Sequence, residues 1–280
     1  MRPTRKSARK GARKNGRRGK KAPLGLGRKI ILVICMIIFV GSAGVLLDYY
    51  INGAKEENAL NSLADLKVGG EELVTEKGTV VAEYAKLYQV NSDIIGWIKI
   101  DGTKVDYPVM QTPDDPEYYI HRSFEKKSTS AGTPFMDALS DVFLPSSNFM
   151  IYGHNMKNGT MFHDLLKYEK KDFYLEHKTI KFDTIYKGGQ GTYEVIAAGY
   201  TEIYPKESTK FKYYQYPGMT TEVEFYEFIR GAKALTPYKM DGTAEYGDQL
   251  ITLSTCAYHA EEGRFFVVAK RVDAKQVKPQ

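Results

Sequence analysis

At 280 residues, with 42% apolar and 26% charged residues, the chain is long enough for one large domain or two small ones around a sizeable core. Its net charge of +6 hides a division: the first 29 residues hold 13 Lys or Arg and no acid, leaving 27 basic residues against 34 acids in the rest. Only two cysteines are present and one lies in a long apolar run, which excludes an intramolecular disulfide framework.

A basic cluster such as 1–29 suits nucleic acid or a nuclear address, but the segment that follows argues against both. Residues 30–47, IILVICMIIFVGSAGVLL, are 18 residues without a charge, close to the minimum for a helix that spans a bilayer. Tyr49 and Tyr50 mark the far interface, with Arg and Lys crowding the near side and Asp48, Glu56 and Glu57 the other. That bias places the amino terminus in the cytoplasm and the bulk of the chain outside. The expected organisation is a basic cytoplasmic tail over 1–29, able to hold anionic lipid heads, and a single-pass anchor in the cell membrane over 30–50. An extracellular domain follows, and no nucleic-acid partner is expected. A cleaved signal peptide is the competing reading, with small residues at 41–44, but the basic region is long and the apolar run exceeds a usual signal core.

Residues 51–80 read as a stalk and amino-terminal helical region, broken at Gly69, Gly70 and Gly78. The segment 80–88, VVAEYAKLY, has Val81, Tyr84, Ala85 and Tyr88 at helical spacing, and Asn91 and Ser92 end it. Strand-like runs begin at 94–100, IIGWIKI, and recur at 105–111, 148–154, 179–186 and 192–204, separated mostly by turn residues. Many strands joined by loops, without regular alternation with helices, predict a mostly β protein, an antiparallel barrel or sandwich. Within 223–234, VEFYEFIRGAKA, one helical face collects Phe225, Phe228, Ile229 and Ala232, which predicts a helix interrupting the sheet.

Residues 249–272, QLITLSTCAYHAEEGRFFVVAKRV, hold the only cysteine outside the apolar span. The run up to Cys256 alternates as a strand, the loop 257–263 is short, and 264–272 is again aromatic and β-branched. An antiparallel pair results, with Cys256 and Arg264 at the same end. A thiol is a nucleophile, and an arginine is a permanent cation able to hold a carbonyl oxygen as it gains charge. A lone cysteine is also commonly a small buried hydrophobe, and an arginine at a strand start a solvated charge. An unpaired thiol in an exported domain nevertheless draws attention as a reactive group.

A thiol of ordinary pKa is mostly protonated near neutrality, so a cysteine enzyme needs an imidazole to move protons. Among five histidines, His154 ranks first because it ends an apolar run immediately after Gly153; His259, in the loop past the cysteine, ranks second. His121, His163 and His177 lie in polar or helix-like contexts.

These residues resemble the class B sortases, membrane-anchored cysteine transpeptidases of Gram-positive bacteria. The resemblance rests on TLSTC at 252–256, on Arg264 opening the next strand and on His154 in IYGHNM at 151–156. DIIGWIKIDGTKVDYPVMQ at 93–111, YYIHRSF at 118–124 and MFHDLLKY at 161–168 support it. It implies a catalytic domain over 81–275 with an eight-stranded β-barrel, amino-terminal helices and the inserted helix already noted. It further implies Cys256 as nucleophile, His154 as general acid and base, and Arg264 as the residue that orients and stabilises the scissile carbonyl.

The same resemblance gives the Ala257 N–H a part in cradling the oxyanion and places substrate contacts near Tyr213, Tyr214 and Tyr216, of which Tyr214 is favoured. Ser254 shares a strand face with Cys256 at period two and is a further candidate for the signal peptide, as well as for an ordinary backbone bond. No metal and no cofactor is expected. The implied partners are exported proteins bearing a carboxyl-terminal sorting signal and an amine of the peptidoglycan precursor. A pilin polymerase, with a pilin lysine as acceptor, is the alternative within the enzyme class. A plain cysteine peptidase and a non-enzymatic tethered binding module with a structural cysteine are the others.

Overall fold

The computed structural model describes residues 25–67 and 69–273, so most of the basic tail lies outside the described residues. The chain divides into two compact units between Tyr50 and Ile51. In the first, Leu26–Leu47 is helical, exposed along its apolar side chains, and long and apolar enough to cross a membrane. It begins four residues before the expected start at 30, because Arg28 and Lys29 continue the same helix; such long side chains can carry their charge to an interface while their stems stay apolar.

The helix itself, α1 (Leu26–Asp65), extends well into the segment read as stalk. Within the second unit its last turns bury Leu60 and Leu63 in the main core. A hairpin of β1 (Leu73–Thr75) and β2 (Gly78–Val80) follows, beyond the break expected at Gly69 and Gly70. The helix predicted over 80–88 is confined to α2 (Ala85–Val90). Val80 instead bridges Tyr186, and the Val81 N–H is donated to the Ile185 carbonyl, so the β-branched residues pair with distant backbone rather than winding. Asn91 caps the end of α2, as expected.

Eight strands close into a barrel: β3 (Ile94–Lys99), β4 (Asp106–Met110), β5 (Phe135–Met136), β6 (Asn148–Tyr152), β7 (Thr179–Thr184), β8 (Gln190–Glu202), β9 (Leu250–Cys256) and β10 (Gly263–Arg271). Around the barrel the order is β10-β8-β7-β3-β4-β5-β6-β9. Most neighbours run antiparallel, but β4 pairs β5 and β6 pairs β9 in parallel. Two-residue β5 carries no alternation of its own and escapes a periodicity reading; it exists because Met110 and Tyr152 supply pairing partners on either side. The run 148–154 stops as a strand at Tyr152, which leaves Gly153 and His154 beyond the sheet edge.

β9 and β10 are buried on both faces, and their two alternating sets of side chains enter different apolar clusters. Ile251, Leu253, Phe265 and Val267 join the main core, whereas Leu250, Phe266 and Val268 face outward under α3 (Glu222–Ala234). That helix starts at a capping box between Thr221 and Glu224 and buries Phe225, Phe228, Ile229 and Ala232, the face expected from its spacing. By the same alternation Cys256 and Arg264 belong to the outer set. The candidate chemistry therefore sits on the outside of the barrel, at the strand ends.

Candidate active site

The hairpin β9–β10 brings Cys256 and Arg264 directly opposite each other, as the short loop led us to expect. His154 arrives from a different part of the chain. β6 runs parallel to β9, with Tyr152 paired to Ser254, and beyond the strand the Gly153 N–H is donated to the Ser254 carbonyl at 3.0 Å. Gly153 lets this happen: a Cβ there would lie 2.7 Å from the Phe162 ring. Cys256, His154 and Arg264 thus line one cavity of about 620 Å³, together with Ser254, Tyr213 and Tyr214.

The imidazole of His154 is held from one side. Its Nε2 lies 2.8 Å from the Ile120 carbonyl oxygen, which can only accept, so Nε2 carries a proton and Nδ1 is the nitrogen left to exchange one. His121, next to Ile120, stacks on the His154 ring at 5.6 Å with 17° between the planes. The segment Tyr118–His121 is a 3₁₀ turn, so YYIHRSF serves as the backrest of the candidate base. The remaining histidines take other roles. His259 packs edge-on against Tyr200, His177 stacks on Phe173, and His163 bonds Asn155.

Arg264 is tethered close to the chain. Its guanidinium donates to the Gly263 carbonyl at 3.0 Å and to the Glu262 carboxylate at 3.2 Å. Glu262 is 64% exposed, and an ion pair in such surroundings is worth about 1 kcal/mol or less. A substrate carbonyl entering the cavity can displace it at small cost.

Ser254 is buried, and its hydroxyl is bonded to the hydroxyl of Tyr213. Burial pushes the Tyr213 phenol up to about 12, against the opposing pull of the Ser254 bond and the Arg264 cation. It stays neutral at any working pH and is a donor as well as an acceptor. Tyr214 lines the cavity with its ring while its hydroxyl closes the loop, accepting from the Tyr204 N–H at 3.0 Å and donating to the Tyr204 carbonyl. Its neighbour Tyr213, named in the sequence but not favoured, is the more deeply buried and the one joined to the Cys256 strand. The Ala257 N–H is donated to the Gly263 carbonyl at 2.9 Å, so a part in cradling an oxyanion requires this bond to open or be shared.

The cavity is completed by Tyr152, from the run read as a strand, and by residues 133–139, which no local pattern singled out. Tyr152 donates its hydroxyl to Asp137, and burial, helped by that carboxylate, raises the phenol strongly; Phe135, Leu139 and Thr133 complete that side. A short β5 and the loop after it are what bring these residues here.

A family profile described as Sortase domain matches residues 98–272. Sortase B of Listeria monocytogenes is similar at 30% identity over 250 residues, covering 88% of this chain and 97% of that protein. Among solved structures, sortase B from B. anthracis in complex with AAEK1 matches with a TM-score of 0.67 at 28% identity, over 80% of this chain and all of that one. A Staphylococcus aureus sortase B–substrate complex matches with a TM-score of 0.61 at 30% identity, over 70% of this chain and 87% of that one. With the eight-stranded barrel in common and the match running along nearly the whole of these relatives, the chain belongs to the sortase family, in class B, a group of transpeptidases.

Proposed function

We propose that this protein cleaves a carboxyl-terminal sorting signal of exported proteins after threonine and transfers the acyl group to an amine of the peptidoglycan precursor. The observation that carries the reading is the meeting of Cys256, His154 and Arg264 in one cavity on the outside of a class B sortase barrel. The S. aureus relative is a substrate complex, which supports a peptide-binding role for the same cavity.

The thiolate of Cys256 attacks the threonine carbonyl carbon. The tetrahedral oxyanion gathers beside the Arg264 guanidinium, and His154 gives the Nδ1 proton to the departing amine, leaving a thioester. An incoming amine attacks that thioester, losing its proton to His154, and the thiolate departs. Ser254 and Tyr213 offer hydroxyls to the backbone of the signal peptide, and Tyr214 packs its ring against it. Purified full-length protein in detergent, given a library of five-residue signals, tests the reading when a wall-peptide amine and a pilin lysine are compared as acceptors. Faster product formation with the wall amine is expected. Preference for the lysine assigns pilus assembly instead, and equal release with and without any amine assigns a peptidase.

Arg264→Lys keeps the charge but loses the planar fork, so turnover is expected to fall at least about 10²-fold, the scale of losing one oxyanion donor. A loss below tenfold would show that charge alone suffices.

The mounting follows from the apolar helix Leu26–Leu47 and the charge on either side. Residues 1–29 lie in the cytoplasm, 30–50 cross the membrane, 51–80 lead away from it and 81–275 form the external catalytic domain. Protease added to intact protoplasts is expected to remove the domain from residue 58 onward; its survival would reverse the orientation.

A further inference from the structure

The segments that carry the candidate base and the nucleophile are tied by more than the sheet. Past the end of β6, Thr255 donates its hydroxyl to the Gly153 carbonyl at 2.7 Å, and Asn155 donates its side-chain amide to the Cys256 carbonyl at 3.1 Å. Asn155 is itself buried and is the chain neighbour of His154. The peptide between Cys256 and Ala257 is consequently held at both ends, its carbonyl by Asn155 and its N–H by Gly263.

Asn155 has a second partner that decides which way its amide faces. Its Oδ1 lies 2.7 Å from Nδ1 of His163, in the 3₁₀ segment Phe162–Glu169. The Cys256 carbonyl can only accept, so the amide nitrogen must face it, the amide oxygen must face His163, and His163 must supply the proton from Nδ1. His163 borders a separate cavity of about 390 Å³ with Asp164 and Lys167.

We infer that Asn155 is a positioning residue for the acyl transfer, fixing the Cys256 peptide relative to His154, and that His163 holds the Asn155 amide in its donating orientation. The inference rests on the proposed transpeptidase reaction at Cys256. It assigns a role to the asparagine of IYGHNM and to the histidine of MFHDLLKY, neither of which reaches the reacting atoms. A displacement of even about 1 Å between nucleophile and base is enough to cost about 10²-fold in rate, so such a clamp acts on turnover and leaves peptide binding alone.

Asn155→Asp separates the bond from the packing, because it keeps the shape and still accepts from His163 while turning an oxygen toward the Cys256 carbonyl. In the full-length protein, with the best-cleaved member of the five-residue signal library, kcat is expected to fall tenfold or more with KM within about twofold. His163→Ala is expected to reduce kcat severalfold, and His163→Gln, which retains a donor, to recover part of that loss. Alkylation of Cys256 by iodoacetamide gives a readout that needs no substrate: a misaligned imidazole stabilises the thiolate less, so the rate should drop about threefold or more in Asn155→Asp.

Normalising each rate to the folded fraction from thermal melts removes simple destabilisation. Parent-like kcat and alkylation in Asn155→Asp, a loss confined to KM, or a loss that vanishes on this normalisation would each overturn the inference. A parent protein that cleaves no signal at all is a failure of the sortase reaction itself, and the alkylation rate then decides the clamp alone.

Discussion

Cys256→Ala is expected to abolish signal cleavage while leaving the barrel intact. The two hydroxyls beside Cys256 on the same face are poor substitutes: the phenol of Tyr213 is held neutral by burial, and Ser254 is engaged with it. The fold should tolerate the change because what Cys256 contributes to it is backbone. Its pairing with Arg264 and the Asn155 bond to its carbonyl both survive removal of the sulfur. The thiol is only partly buried, so the stability cost is about 1 kcal/mol or less. Cleavage of a labelled signal peptide and a thermal melt make the measurement. Activity near the parent level would remove Cys256 from the mechanism.

His154→Ala is expected to lower turnover by about 10³-fold or more, since general acid–base catalysis alone contributes about 10² to 10⁴ and in the proposed mechanism this imidazole serves both the thiol and the departing amine. The bond from Nε2 to Ile120 leaves one nitrogen for that exchange, and no other histidine among the cavity-lining residues replaces it. KM for the peptide should change little, because the ring reaches the reacting atoms and not the length of the signal. The comparison that gives the result its meaning is His259→Ala. His259 lies against Tyr200, so its loss should stay within about threefold. The reverse pattern, with His259 essential and His154 dispensable, would overturn the assignment of the base and its carry-over from the sortases.

How much of this was legible before the tertiary structure depends on how local each signal is. The β9–β10 pair is local: alternation over seven residues, a short loop and a second β-branched run suffice to put Cys256 opposite Arg264. The amphipathic face of α3 is local in the same way, as is the apolar length of Leu26–Leu47. The segment 80–88 shows where local signals mislead. Its helical spacing is real, but backbone pairing of Val80 and Val81 with residues more than 100 positions away overrides it, and only Ala85–Val90 winds.

The sequence by itself therefore determined the anchor-like helix, the Cys256 strand with its arginine, the covering helix and, through resemblance to the class B sortases, His154 as the candidate third partner. Only the tertiary structure decided how His154 comes to share a cavity with Cys256. That meeting uses a parallel pairing of β6 with β9 across about 100 residues, extended past the strand end by Gly153, Thr255 and Asn155. It also decided that Ile120 holds the imidazole, that Tyr213 rather than Tyr214 bonds Ser254, and that a two-residue strand closes the barrel. The reason is physical: periodicity and turn chemistry report the conformation of neighbours along the chain, whereas a parallel ladder or a side chain bonded to a distant carbonyl exists only once packing has brought its partner there.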